Sequence, residues 1–265
     1  MSRINAAETA QLEELMRSAG AKLLEFWPGG DRPASRTLGA EKKGDGSFVT
    51  QADFASNEIL ISGLTTLFPD DAILSEEIPP SPELSSRERV WIIDPLDGTK
   101  SFMDGNDDFS VLVARCSGRT PDWGGMFFPA RKQFATASLG AGATLNGTKL
   151  RVSDESKLRP RSVYVRHLKP KREEVVYDRW LDSGCAFLTL SEGRFDGVII
   201  KIVSHREWDL AAPAVVIQES GGTVTDELGK PIAFNEGAMN YKYFVASNGK
   251  THDELLALIH DGERE

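Results

Sequence analysis

The sequence predicts a layered α/β (α+β) sandwich built on two sheets. Three observations carry that reading. Strand-like segments separated by Gly, Pro and Asn-Gly turns fill the middle of the chain, from Phe109 to Ser153. Beyond Ser162 helical and strand-like patterns alternate to the end, and strands followed by alternating elements indicate packed layers. The apolar run Val90-Trp91-Ile92-Ile93, β-branched at three of its positions, reads as a strand buried on both faces.

Taken in order, residues Ala6 to Phe26 carry Leu12, Leu15, Met16, Ala19, Leu23 and Leu24 at helical spacing, an amphipathic helix. A Gly/Pro-rich loop follows through Gly29, Gly30, Pro33 and Gly39. Thr50 or Asp53 caps a second helix, whose apolar positions Ile59, Leu60, Leu64 and Leu67 end at Phe68-Pro69. Ala72 to Ser75 is a short strand leading into Glu76-Glu77, and Pro79 to Ser86 is a polar loop. After the Val90 strand, segments at Phe109–Arg115, Trp123–Phe128, Gln133–Ser138 and Lys149–Ser153 form an antiparallel meander. Ser162 to Arg166 opens the second unit. Helices are expected at Glu173–Leu181, at Ala186–Gly193 and after Asp209, with strands at Gly197–Ile202, Thr223–Asp226 and Tyr243–Ser247. A closing helix runs from His252 to Ile259, capped by Thr251.

At 265 residues the chain is one large domain or two closely packed halves, with ample core and no need of staples. A net charge of −9 argues against a nucleic-acid polymer as partner, because phosphate-backbone binders concentrate positive charge. An anionic substrate would then need a locally positive site, which bound metal supplies. The two cysteines, Cys116 and Cys185, form no disulfide framework and no zinc spacing, so they read as reduced thiols in a cytoplasmic protein. No basic segment precedes an apolar signal-like run, and no run reaches membrane-spanning length, so no membrane partner is expected.

The chemistry concentrates after Ile93, in Asp94-Pro95-Leu96-Asp97-Gly98-Thr99-Lys100-Ser101-Phe102. Two carboxylates at the end of a buried strand repel one another out of water, and a divalent cation held by both is the natural compensation. Oxygen donors without nearby His or Cys point to Mg²⁺ rather than zinc. Pro95 stiffens the turn and offers the Leu96 carbonyl as a third ligand. Gly98 lets a ligand approach the main chain, and the amides after it open a short helix that accepts an anion. Taken alone, Asp, Pro and Gly are also ordinary turn residues. Three further acidic spots share the pattern: Asp53 at a helix start, Glu76-Glu77 after a strand, and Asp209 at the tip of the helix containing Pro213. Asp209 there is also what ordinary helix capping requires. Acids gathered at such junctions are what a multi-metal phosphoryl site needs.

These stretches resemble the inositol monophosphatase superfamily of Mg²⁺-dependent, lithium-sensitive phosphomonoesterases. The matching residues are Lys43-x-Asp45-x-Ser47-x-Val49-Thr50-x-Ala52-Asp53, Ser75-Glu76-Glu77, Asp94-Pro95-Leu96-Asp97-Gly98-Thr99 and Trp208-Asp209-x-Ala211-Ala212. They occur in the family's order and span most of the chain. The resemblance implies the five-layer αβαβα inositol monophosphatase/fructose-1,6-bisphosphatase-like fold. It also implies two or three Mg²⁺ ions held by Glu76, Glu77, Asp94, the Leu96 carbonyl, Asp97 and Asp209. Asp53, Thr99 and Glu76 become the catalytic residues, with Asp53 and Thr99 activating the attacking water. Asp97 and the amides of Gly98 and Thr99 hold the phosphate end of a small anionic phosphorylated substrate. Residues 1–153 then form an α+β half carrying most metal ligands, and residues 154–265 complete the site. The sequence is silent on oligomeric state, although a homodimer is common among such relatives.

Within the superfamily, Lys100 after Gly-Thr, Gly105-Asn106-Asp107-Asp108-Phe109 and Glu207-Trp208-Asp209-x-Ala211-Ala212-Pro213 are similar to bacterial 3′(2′),5′-bisphosphate nucleotidases. Lys100, His205 and Arg206, with Ser183, are expected to meet the substrate and to place positive or switchable charge beside it. Two places depart from that group: the Val163–Ser183 segment is short and lacks a strand before Ser183, and Ala186 stands where many nucleotidases have Lys. Inositol-1-monophosphatase and histidinol-phosphate phosphatase are the alternatives. A phosphatase working through an aspartyl-phosphate would have one residue between its aspartates, whereas Pro95 and Leu96 intervene here. A non-catalytic phosphate- or metal-binding module would be marked by a lost ligand, and none is lost.

Overall fold

The apolar run at Val90 lies inside a seven-stranded sheet. The computed structural model describes residues 3–29, 39–44, 48–81, 84–176, 180–203, 205–236 and 239–263. Its strands follow the order β3 (Ala72–Ser75), β4 (Arg89–Asp97), β5 (Ser110–Ser117), β6 (Thr120–Phe128), β7 (Gln133–Ser138), β8 (Gly142–Leu145) and β9 (Thr148–Lys149). β3 runs parallel to β4, and the remaining neighbours pair antiparallel. The second sheet has the order β11 (Val175–Val176), β10 (Val163–Arg166), β12 (Gly197–Lys201), β14 (Tyr243–Ser247) and β13 (Thr223–Thr225). Its first three strands are parallel, and β14 is antiparallel to both its neighbours. A short hairpin joins β1 (Glu41–Lys42) to β2 (Phe48–Val49).

Side-chain alternation along the strands assigns the layers. Trp91 and Ile93 of β4, with Val111, Val113 and Trp123, join Leu12, Met16 and Leu23 of α1 (Ala6–Phe26) and Leu60 and Leu64 of α2 (Gln51–Leu67). Val90 and Ile92 point the other way and meet Phe187 and Leu190 of α4 (Ser183–Ser191) and Leu210, Val215 and Val216 of α5 (Glu207–Glu219). Val198, Ile200, Phe244 and Ala246 of the second sheet close that same middle layer. The alternate residues Ile199, Tyr243 and Val245 face Leu255, Leu258 and Ile259 of α6 (His252–Glu263). The resulting order is helices, sheet, helices, sheet, helix, the five layers expected. Every residue of α4 is buried, as befits a helix clasped between two sheets. Each fully buried large aliphatic or aromatic side chain in these layers contributes about 1.5–3 kcal/mol.

Thr50, rather than Asp53, caps α2, and Asp53 returns the hydrogen bond from the helix's first turn. Several sequence expectations need correction. The strand expected at Lys149–Ser153 ends at Lys149, and the tight Asn146-Gly147 turn with both residues at positive φ pairs β9 with the unforeseen β8. Val175 and Val176, placed in a helix over Glu173–Leu181, form β11, because two buried β-branched residues extend the second sheet by parallel pairing with β10. The strand thought to be missing before Ser183 is therefore present in short form. Helix α4 begins at Ser183 instead of Ala186, and α5 at Glu207 instead of after Asp209. Asp45 and Ser47 of the first signature, Gly30 and Pro33, Pro82 within the polar loop and residues 177–179 lie outside the described residues.

Candidate active site

In a regular strand Asp94 and Asp97, three residues apart, would project from opposite faces. In β4 Asp94 pairs with Leu112 and Asp97 with Ser110, so three steps on β4 match two on β5. This bulge resets the alternation. Both acids face the α4/α5 layer, while Leu96 joins the cluster beneath α2. The sequence places a turn directly after Asp94; the strand instead continues through the bulge to Asp97. Ser56 Oγ of α2 donates to the Pro95 carbonyl at 2.8 Å, and Leu96 N donates to Asp94 Oδ1 at 2.9 Å, which fixes the irregular segment from both sides.

Asp209 arrives from the first turn of α5, where its Oδ2 accepts Arg206 N at 2.6 Å. It thus performs the ordinary capping duty and also delivers a carboxylate to the bulge. One oxygen from each of Asp94, Asp97 and Asp209 lies within 4.8 Å of the others. Asp97 Oδ2 is held by Gly184 N at 2.8 Å and Ser110 Oγ at 3.2 Å. A Cβ on Gly184 would stand 2.9 Å from that oxygen, so only glycine permits the approach.

Burial pushes the Asp97 carboxyl up to about 7, with Asp182 adding repulsion. Burial, then Glu76, Asp97 and Asp209, raise Asp94 well above the carboxylate range. Asp209 rises for the same reasons, burial first and Asp97 next. Two buried acids and one part-buried acid that resist ionisation together form a site that a hard divalent cation would relieve, and an all-oxygen donor set fits Mg²⁺.

Asp53 is buried in the first turn of α2. Its Oδ2 accepts Thr50 N at 2.8 Å and Thr50 Oγ1 at 2.7 Å, which leaves Oδ1 for the Thr99 hydroxyl at 3.3 Å. Burial raises Asp53 to about 7. Thr99 opens the short helix α3 (Thr99–Met103), entered through Gly98 at φ +88°. Its hydroxyl also lies 3.2 Å from the Leu96 carbonyl. At the end of β3, Glu76 and Glu77 share the Lys43 ammonium, at 2.7 Å and 2.8 Å. Burial opposes that charge, but Glu76 and Glu77 outweigh it and hold the Lys43 pKa above its ordinary value.

A cavity of about 340 Å³ opens over these groups. Of the residues expected at the site, Glu76, Asp94, Leu96, Asp97, Gly98, Thr99, Lys100, Ser183, His205, Arg206 and Asp209 line it. Asp53 and Glu77 stand behind it, each touching a group on the wall through Thr99 or Lys43. The expected charge needs revision at two positions. His205 is buried and pushed down to about 3, first by desolvation and then by Arg166, so it is neutral at physiological pH; its Nε2 lies 3.0 Å from Ser183 Oγ. Lys100 is largely exposed, with its ammonium on Asp104.

Phe48, Trp208 and two charged residues, Arg166 and Asp182, line the cavity without having been assigned to it from sequence. Asp182 precedes α4, accepts a hydrogen bond from Ser101 Oγ and lies 3.8 Å from Arg166 Nη1. Arg166 ends β10, at the carboxyl end of a strand in an open α/β sheet, where ligand crevices form. That location was the available signal, but the Val163–Arg166 strand showed no charge partner in sequence.

The inositol monophosphatase family profile matches residues 5–264. A histidinol-phosphatase of Chlorobaculum parvum is 29% identical over 264 residues, covering 95% of this chain and 96% of that protein. A 3′(2′),5′-bisphosphate nucleotidase of Escherichia coli (strain K12) is 29% identical over 233 residues, covering 84% and 92%. Among solved structures, a Thermotoga maritima IMPase superposes with a TM-score of 0.79 at 28% identity, covering 95% of this chain and 96% of that one. Acids brought to one point by a bulged strand and a helix tip are thus joined by a profile match over nearly the whole length, and the chain belongs to the inositol monophosphatase family, a family of phosphatases.

Proposed function

We propose that the chain is a Mg²⁺-dependent, lithium-sensitive phosphomonoesterase that hydrolyses 3′(2′),5′-bisphosphate nucleotides, taking adenosine 3′,5′-bisphosphate to AMP and phosphate. The observation that carries the phosphatase chemistry is the convergence of Asp94, Asp97 and Asp209 beside the Asp53–Thr99 pair. Glu76, Glu77, Asp94, the Leu96 carbonyl, Asp97 and Asp209 are the candidate ligands for two or three ions. Bound Mg²⁺ supplies Lewis acidity toward the phosphoryl group and the attacking water.

The chain's own groups position and deprotonate. Asp53 Oδ2 is occupied by Thr50, so Oδ1 is oriented to receive the Thr99 proton as the Thr99 oxygen takes one from the attacking water. Asp94 is anchored by Leu96 N and sits within the acidic cluster, which accords with a ligand rather than a nucleophile, so no phosphoenzyme forms. Gly98 and Thr99 line the cavity, and their amides are assigned to the phosphate. The nucleotidase reading is supported by the basic side chains of Lys100, Arg166 and Arg206 on the cavity wall, which suit a substrate with a second anionic group. Ser183 and neutral His205 supply polar contacts beside them. Two buried free thiols accord with a cytoplasmic setting.

The test is one side-by-side assay of adenosine 3′,5′-bisphosphate, inositol 1-phosphate, histidinol phosphate and fructose 1,6-bisphosphate with and without Mg²⁺. The nucleotide is expected to show kcat/KM at least about tenfold above the others, the value of one charge-assisted contact. If inositol 1-phosphate is turned over best, the chain is an inositol monophosphatase and the nucleotidase reading fails.

A further inference from the structure

The basic groups on the cavity wall are not equally available. Lys100 is taken up by Asp104 at 2.5 Å, and Arg206 Nη1 donates to the His205 carbonyl at 3.0 Å. Arg166 is different. Its Nη1 has only a loose 3.8 Å approach to Asp182, and its buried Nε finds no acceptor among the described residues. A guanidinium offers five donors in a planar fork, and a half-used, part-buried fork on a cavity wall is suited to a ligand oxygen.

Its position is also held. The Arg166 Cζ lies over the Trp180 ring, 4.6 Å from its centroid, a cation–π contact. Trp180 is 61% exposed despite its size, which leaves much of the indole open to solvent. A large aromatic left open at the edge of a polar cavity is a platform for another planar ring.

We infer that Arg166, held against Trp180, reads the second phosphate of the substrate's leaving group, and that the exposed surface of Trp180 takes the attached base. This rests on the nucleotidase reading and assigns it a specificity-determining residue outside the metal-binding motifs. Inositol 1-phosphate offers Arg166 no second anion, and histidinol phosphate would bring a cationic leaving group to it. A bisphosphate whose leaving group carries both an anion and a planar ring satisfies both residues.

The test compares adenosine 3′,5′-bisphosphate with 3′-AMP, which differ only in the second phosphate. In the wild-type enzyme the bisphosphate should have the higher kcat/KM by roughly ten- to a hundredfold. Arg166→Met should raise KM for the bisphosphate more than for 3′-AMP, so that the preference for the bisphosphate within the folded variant shrinks by that factor. Arg166→Lys, which keeps the charge but loses the fork, should fall between. Trp180→Leu should raise KM for both nucleotides, because both carry the base. If the wild type prefers the bisphosphate and folded Arg166→Met keeps that preference, the assignment of Arg166 is overturned while the nucleotidase reading stands. If the wild type does not hydrolyse adenosine 3′,5′-bisphosphate at all, the nucleotidase reading itself fails.

Discussion

Thr99 Oγ1 stands 3.3 Å from Asp53 Oδ1, the carboxylate oxygen that Thr50 leaves open. A hydroxyl so placed relays a proton only if the carboxylate behind it accepts. Thr99→Ala is expected to lower kcat by about 10²–10⁴-fold with little change in KM, since proton transfer matters in the transition state. A single turnover in ¹⁸O-labelled water should put the label in phosphate and none in protein. Recovery of a phosphorylated Asp94 would overturn direct hydrolysis.

Asp94→Asn and Asp97→Asn each remove charge from the three-carboxylate cluster without changing its shape. Turnover should fall by more than the roughly 10–100-fold that follows loss of an outer-sphere partner. The metal-free variants should melt no lower than the metal-free parent, because repulsion is relieved. Mg²⁺ should raise the parent's melting temperature and the variants' much less. Full activity of the parent in excess chelator would refute metal dependence.

Stability against pH follows from the same burial. Asp53 and Asp97 each titrate near 7 in the metal-free fold, above the unfolded value of about 3.9. A raised carboxyl pKa contributes stability that is complete below the unfolded value and is lost as pH climbs through the folded one. The melting temperature of chelated protein should therefore fall between about pH 4 and 7, and Mg²⁺ should add more stability at pH 8 than at pH 5. Melting curves across that range, with and without Mg²⁺, decide it; a stabilisation by Mg²⁺ that is flat with pH would contradict the assignment.

Gly184→Ala places a methyl group 2.9 Å from Asp97 Oδ2. The overpacked α4 tip should cost about 1–3 kcal/mol of stability. Activity should drop by roughly 10–100-fold through displacement of Asp97, whose oxygen Gly184 N holds. A folded Gly184→Ala enzyme with wild-type kcat would show that this contact does not position Asp97.

The sequence made the acids legible because each sits where an apolar run ends, and charge at the end of a buried element needs a reason. Asp53, Glu76, Asp94, Asp97 and Asp209 announced themselves in this way. The five layers were legible through the two-sheet pattern together with the family resemblance. Arg166 and Asp182 were not, since their significance lies in contacts across the second sheet and α4 that no local spacing encodes. Strand β11 was missed because two residues carry too little periodicity to separate a strand from a helix. His205 was read as switchable because its burial depends on the tertiary packing around Ser183.

The bulge between Asp94 and Asp97 has a consequence for how this segment can change over evolutionary time. The face from which Asp97 projects is decided by counting peptide units, not by the chemistry of Pro95 and Leu96. Exchanging those two side chains leaves the count intact. Deleting either one restores an unbroken alternation with the two acids two residues apart and still on one face, but it closes the bulge that Ser56 Oγ fastens through the Pro95 carbonyl. Drift by replacement therefore remains open to the segment, whereas loss of a single codon keeps the facing of the acids but shortens the backbone that spaces them.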